Sequence, residues 1–309
     1  MKDALIRVLK GIAFGVANII PGVSGGTIAV ILKFFDQLIE AINTLFSNFK
    51  KNMIFLLPLG IGVCAGIVGF SKLLKPALAN FPFQTNMFFV GLIAGSVPLL
   101  WGLARKEKFH WTHVLPFIGA VAVIVVLAVL QKPVTMEEIK ILQGAASENV
   151  STAITAPDSV WRYLYLLVCG AIASAAMVVP GISGSFMMVL LGEYDTVLNS
   201  VDALTSVDTM VPAILNLIPV AIGIVIGVFG IAKLIDFMLK KFYSYSYSAI
   251  LGLVGGSIFT ILYSPETYHT VTGAPITWSV LGVMIAVLTF ALGFVMAFFL
   301  GKDKSEEKK

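Results

Sequence analysis

Residues 15–39 read GVANIIPGVSGGTIAVILKFFDQLI, and residues 175–198 read AAMVVPGISGSFMMVLLGEYDTVL. Each stretch sets a Pro-Gly dipeptide inside an apolar run, where proline removes a helix donor and glycine opens the backbone to turns. The hexapeptide PGVSGG at Pro21 to Gly26 thus returns as PGISGS at Pro180 to Ser185. Adding 159 carries Gly11 onto Gly170, Pro21 onto Pro180, Ser24 onto Ser183, Gly25 onto Gly184 and Asp36 onto Asp195. Adding 161 carries Pro58, Gly62, Gly66, Gly69 and Lys72 onto Pro219, Gly223, Gly227, Gly230 and Lys233. The same shift carries Gly91, Leu92, Gly95 and Ser96 onto Gly252, Leu253, Gly256 and Ser257. A register that persists over three blocks marks a duplicated half with a two-residue slip.

Composition sets the solvent. The 309 residues are 58% hydrophobic and 12% charged, with a mean hydropathy of +0.95. Soluble globular domains carry about 25% charged residues, so this is a polytopic membrane protein. Its apolar stretches are helix-length and do not alternate, which predicts an all-α fold rather than an outer-membrane barrel. Lys2, Arg7 and Lys10 precede an apolar run as in a signal peptide, but the run leads directly into the repeated unit, and no cleavage is expected. Cys64 and Cys169 have no CxxC or Cys/His spacing; both read as small core residues, with no disulfide, metal or cofactor.

Spanning helices are predicted over Met53–Leu74, Asn86–Ala104 and His113–Leu130, and over Val211–Phe237, Ser248–Tyr263 and Trp278–Leu300. The Pro-Gly segments, Ala4–Leu45 and Trp161–Leu204, read either as kinked spans or as re-entrant hairpins, and charge separates the two. If each re-enters, every half makes three crossings and the halves are inverted. The cytoplasm then receives both termini, Lys33, Lys50, Lys51, Arg105, Lys106, Lys108, Lys240 and Lys241. The outside receives Lys72, Lys75, Lys132, Lys140 and Arg162 with Glu137, Glu138, Glu148, Asp158, Glu193, Asp195, Asp202 and Asp208. A single crossing would move Lys33, Lys50 and Lys51 outside, against the positive-inside rule. The expected architecture is therefore one transmembrane domain, 1–309, with an inverted-topology repeat of a re-entrant helical hairpin plus three transmembrane helices per half. Repeat one covers about 4–131 and repeat two about 161–300, with an extracytoplasmic connector, 132–160, and a cytoplasmic tail, 301–309.

Irregular backbone at membrane depth persists only where protein or a watery cavity satisfies its polar groups. Inverted-repeat transporters place substrate at such discontinuities near the midplane. Pro21, Gly22, Ser24, Gly25, Gly26 and Thr27 resemble a helix start with a hydroxyl cap and free N–H groups, suited to an anion. Pro180, Gly181, Ser183, Gly184 and Ser185 supply the same parts from the second half. Two such N-termini would suit a phosphate. The alternative for these glycines is close packing, which is the expected role of the pairs Gly62/Gly66, Gly91/Gly95, Gly223/Gly227 and Gly252/Gly256. Asp36, Glu193 and Asp195 are candidates for carrying protons or a cation, against a role as interfacial acids. Lys72 and Lys233 are candidates for neutralising an anionic head group, against snorkelling. Asn18 is a candidate cavity-lining residue, although its mate is Met177. His110, His113 and His269 form no HExxH or triad pattern and receive no catalytic role.

The two quoted runs resemble the PopT-type polyprenyl-phosphate transporter family, and the likeness extends over nearly the whole chain. That resemblance implies a non-enzymatic bacterial inner-membrane protein that moves undecaprenyl phosphate from the outer to the cytoplasmic leaflet, with the lipid and the bilayer as partners and no nucleic acid. The architecture is also similar to that of undecaprenyl-pyrophosphate phosphatases, whose Pro-Gly-x-Ser motif continues with arginine. Here Gly25 and Gly184 stand at that position, and no acidic pair with a basic group clusters around the hairpin. A membrane phosphatase and a transporter of a small soluble anion are the two alternatives.

Overall fold

The computed structural model describes residues 2–19, 25–106, 110–130, 155–204, 207–264, 267–269, 276 and 278–301. Their regular structure is helical. The first half runs α1 (Lys2–Ile19), α2 (Gly25–Ile31), α3 (Phe35–Asn43), α4 (Phe49–Asn80), α5 (Pro82–Ala104) and, after a 3-10 turn at Trp111–His113, α6 (Val114–Leu130). The second half repeats the series as α7 (Val160–Val178), α8 (Gly184–Leu190), α9 (Tyr194–Ala203), α10 (Val207–Lys241), α11 (Tyr243–Tyr263) and α12 (Val280–Gly301). Each helix therefore has its mate six elements later. Among the described residues seven helices are long and apolar enough to cross a membrane: the six predicted spans, now α4, α5, α6, α10, α11 and α12, together with α7. The 32 residues of α4 and the 35 of α10 reach about 48 and 52 Å, well beyond a hydrocarbon core of about 30 Å.

Small residues decide which helices meet. In α1 a Cβ at Gly11 would lie 2.1 Å from the Leu59 carbonyl oxygen of α4, and one at Gly62 would lie 2.1 Å from that of Val8. Their mates do the same in α7 and α10: Gly170 faces the Val220 oxygen at 2.4 Å and Gly223 the Leu167 oxygen at 2.0 Å. Backbone lies on backbone at both crossings, the close approach that small residues permit in membranes.

The remaining long helices exchange partners between halves. Gly91 and Gly95 of α5 press on the Phe290 and Phe294 carbonyls of α12, and Gly293 of α12 presses on Phe88. Reciprocally, Gly252 and Gly256 of α11 press on Phe117 and Ile124 of α6. All eight glycines of the four predicted G-x-x-x-G pairs thus serve packing, and α5 and α11 also pack on one another at the centre. Cys169 is buried as expected. Cys64 corrects the expectation: it is exposed on α4, on a helix whose outward side is apolar (Ile61 57% and Val68 67% exposed), where a thiol costs little to leave facing lipid.

Candidate functional site

The two Pro-Gly motifs meet. Pro21, Gly22 and Ser24 lie outside the described residues, but Gly25, Gly26 and Thr27 open α2 and are buried. A Cβ at Gly26 would lie 2.8 Å from the Val178 carbonyl oxygen and 3.1 Å from the Pro180 nitrogen, so first-half backbone sits directly on the second motif. The Gly181 N–H donates to the Thr27 hydroxyl oxygen at 3.0 Å across the same junction. Pro180 is fully buried. Gly181 has φ +87 and lies against the Leu253 carbonyl of α11, a conformation and an approach that disfavour a side chain. The mate of Thr27 is Phe186, so this hydroxyl bridge exists in one direction only.

Ser183 precedes α8 with extended backbone, and its hydroxyl does not cap that helix. Gly184 rests on the Ala173 carbonyl and the Met177 side chain, as Gly25 rests on Phe14 and Asn18, the mates of those residues. The Asn18 amide turns back to the Phe14 carbonyl at 2.9 Å. The side chain of Ser185 lies outside the described residues. Because α2 and α8 are only seven residues each, an anion here would be held by local N–H and hydroxyl groups more than by a summed helix dipole.

The acidic candidates fare differently from one another. The Asp36 carboxylate accepts from the Tyr247 hydroxyl at 2.7 Å, which joins α3 to α11. Asp195, its mate, is exposed. Glu193 is only 4% exposed and accepts two hydrogen bonds from Arg162, at 2.5 and 2.7 Å. A fork-to-fork pair of this kind satisfies both carboxylate oxygens. The first half holds Phe34 and Asp3 at these positions, so the pair is peculiar to the second half. Lys233 is exposed on α10, and the side chain of Lys72 lies outside the described residues. Among the described residues no group of three His, Cys, Asp or Glu side chains could hold a metal.

Sequence reasoning missed several polar links. Asn43 donates to Asp236 at 2.7 Å, and Asp236 also pairs with Lys240 at 2.8 Å. Asn86 donates to the Thr267 hydroxyl at 2.9 Å. Ser96 and Ser257 are fully buried, and each bonds the carbonyl three residues back, to Ile93 and Val254. These serines were visible as mates in the repeat; the cross-half pairs carried no local signal.

The undecaprenyl phosphate translocase-like family model matches residues 14–278. The chain is similar to the polyprenyl-phosphate transporter of Staphylococcus aureus (strain NCTC 8325 / PS 47), with 28% identity over 305 residues and 98% of each chain covered. It is also similar to the polyprenyl-phosphate transporter of Vibrio cholerae serotype O1 (strain ATCC 39315 / El Tor Inaba N16961), with 27% identity over 324 residues, 92% of this chain and 94% of the relative. No solved structure matches.

Proposed function

Since the chain belongs to the undecaprenyl phosphate translocase-like family, we propose that it is a membrane transporter, not an enzyme, and that it carries a polyprenyl phosphate between leaflets of the bacterial cytoplasmic membrane. The observation that carries this reading is the contact of the two Pro-Gly motifs, Gly26 on Pro180 and Gly181 on Thr27, inside a bundle of apolar helices. The phosphate is bound by Ser24, Ser183 and the backbone of Gly22, Gly25, Gly26, Gly181, Gly184 and Ser185, between Pro21 and Pro180, with Thr27 holding the two motifs together. Asn18 lines the cavity, Lys72 and Lys233 meet the head group at opposite faces, and the prenyl tail stays in lipid through a lateral opening.

The halves are inverted, each a re-entrant hairpin with three spans, and both termini are cytoplasmic. Lys33, Lys50, Lys51, Lys240 and Lys241 then mark the cytoplasmic face, and Arg162, Glu193 and Asp195 the outer one. Transfer runs from the outer to the inner leaflet. A phosphomonoester carries about −1.5 to −2 charges, and moving each through 100 mV costs about 2.3 kcal/mol. Entry into an inside-negative cell therefore costs roughly 3.5 to 4.6 kcal/mol unless cations move with it. Asp36, Asp195 and Glu193 are the groups for that coupling, with Glu193 able to act once Arg162 is drawn away.

The test is transfer of short- and long-chain polyprenyl phosphates in proteoliposomes, with phosphate release measured in the same samples. Transfer without release, weakened in Ser24→Ala and Ser183→Ala and more so in the double variant, is the expected result. Release of inorganic phosphate would replace the transporter by a phosphatase. Inward transfer unchanged by collapse of the proton gradient would remove proton coupling.

A further inference from the structure

The end of the bundle where α5 and α10 stop and α11 begins carries cations set on aromatic rings. Arg105 and Lys106 follow the last turn of α5, and Lys240 and Lys241 close α10. The Lys106 ammonium stands 4.7 Å from the centre of the Tyr243 ring, and the Arg105 guanidinium 5.4 Å from that of Trp101. Lys241 lies 5.4 Å from the Phe237 ring and 5.5 Å from that of Phe242. Phe242 in turn meets Tyr245, whose hydroxyl bonds Thr112 at 2.8 Å and ties in the turn before α6. Lys106, Lys241, Trp101, Phe237 and Phe242 are all exposed. The acids facing this corner are Asp236, which pairs with Lys240 at 2.8 Å, and Glu40 of α3. Glu107 and Lys108 lie outside the described residues, and their formal charges cancel. Arg105, Lys106, Lys240 and Lys241 against Asp236 and Glu40 leave the corner net positive.

The repeat shows that the fold does not require these charges. Phe81 and Phe242 are mates that turn the chain alike, with φ and ψ of −134 and 54 at the first and −135 and 53 at the second. Each donates its N–H to the carbonyl four residues back, at 2.8 and 2.7 Å. Yet Lys240 and Lys241 map onto Ala79 and Asn80, and Arg105 and Lys106 onto Glu266 and Thr267. A basic end also suits a helix dipole, but α4, the mate of α10, has no basic residue in its last turn. The same corner is thus built twice and made basic once.

We propose that this corner binds the head group of an anionic phospholipid of the surrounding bilayer, with Lys106 and Lys241 on its phosphate and Trp101, Phe237 and Phe242 along the upper acyl chains. The occupant follows from charge and depth. Exposed aromatic rings at the end of spanning helices mark the level of the lipid head groups, and clustered cations at that level select anionic ones. A ring holds each ammonium in place on one side and leaves its charge to act on the other. Because Lys106 and Lys241 rest on the successive residues Tyr243 and Phe242, one head group joins the ends of α5 and α10. The site needs these helices to span a membrane and asks nothing of what the protein carries.

Tryptophan quenching by brominated lipids tests it. Single-tryptophan proteins keeping Trp101 or Trp278, with the other tryptophans changed to Phe, are reconstituted in phosphatidylcholine bilayers. Trp278 packs on Phe83 at the opposite end of α5 and serves as the reference. Brominated phosphatidylglycerol should quench Trp101 in preference to brominated phosphatidylcholine, and should show no such preference at Trp278. The preference at Trp101 should fall about fivefold in Lys106→Gln and again in Lys241→Gln. Lys106→Arg and Lys241→Arg, which keep the charge, should retain it. Equal quenching by the two lipids at Trp101, or the same preference at both tryptophans, overturns the site. So does a preference that survives the double glutamine variant, or one lost equally in the arginine variants. Loss of the preference on adding a few mole per cent of polyprenyl phosphate would give the corner to that lipid and overturn the assignment to a bulk phospholipid.

Discussion

Thr27→Val removes one oxygen from the junction of the two motifs and leaves its shape. Thr27 is 1% exposed, and its hydroxyl accepts the Gly181 N–H at 3.0 Å. Valine keeps the volume, so the cost is that of the lost bond and of an N–H left without its acceptor. A hydrogen bond between membrane helices averages about 0.6 kcal/mol, whereas an orphaned buried donor costs about 1–3 kcal/mol. Gly181 is half-buried, which puts the expected loss at about 1–2 kcal/mol, or about fivefold to thirtyfold in the population of the joined arrangement. Thr27→Ser keeps the oxygen and deletes a methyl, costing about 0.8 kcal/mol of packing without touching the bond. Unfolding in mixed micelles gives the stability, and leaflet transfer in proteoliposomes gives the function. Valine should slow transfer while serine stays close to the parent protein. Equal stability and equal transfer in Thr27→Val and the parent would refute the claim that this bond joins the motifs.

Gly223→Leu should destabilise the fold by more than about 2 kcal/mol and prevent α7 from seating on α10, since a Cβ there would lie 2.0 Å from the Leu167 carbonyl oxygen. Gly230→Ala, on the same helix with nothing within 4 Å, should gain up to about 1 kcal/mol from helix propensity; thermal unfolding of the two variants checks both signs. Arg162→Gln leaves the Glu193 carboxylate buried without its partner and should cost about 1–3 kcal/mol, less than for a fully buried pair because the arginine side chain is 34% exposed. Glu193→Gln in the same background should recover part of that loss, and a double-mutant cycle on unfolding measures it. A membrane-permeant maleimide should label Cys64 and spare Cys169 in the folded protein, as mass spectrometry of the two peptides will record.

The glycine crossings were legible because a backbone contact needs no side chain at all: i, i+4 glycines announce a close face wherever the helix goes. They do not announce the partner, so nothing in Gly91 and Gly95 pointed to Phe290 and Phe294 across the halves. The Pro-Gly motifs were legible as breaks and as mates. Their convergence was expected, but the bond that joins them was not, because Thr27 and Gly181 are far apart in the chain and the bridge departs from the repeat. The Arg162–Glu193 pair was hidden for the same reason, its mates being Asp3 and Phe34. Nor does a duplicated sequence declare where each half docks its short helices. Lys33 and Gly192, with φ of 53 and 73, turn the chain alike at mated corners, yet the helices that follow, α3 and α9, dock on different partners.

The exchange of α5 and α6 for α12 and α11 bears on how the chain is assembled. During synthesis α5 enters the membrane long before α12, and until that helix follows, the face bearing Gly91 and Gly95 has only lipid to meet. A fragment ending after α6 would keep the α1–α4 pair and lack both α12 beside α5 and α11 beside α6. The first half must therefore wait, partly assembled, for the second, and the two halves form a single cooperative unit that a cut between them should not divide into independently stable parts.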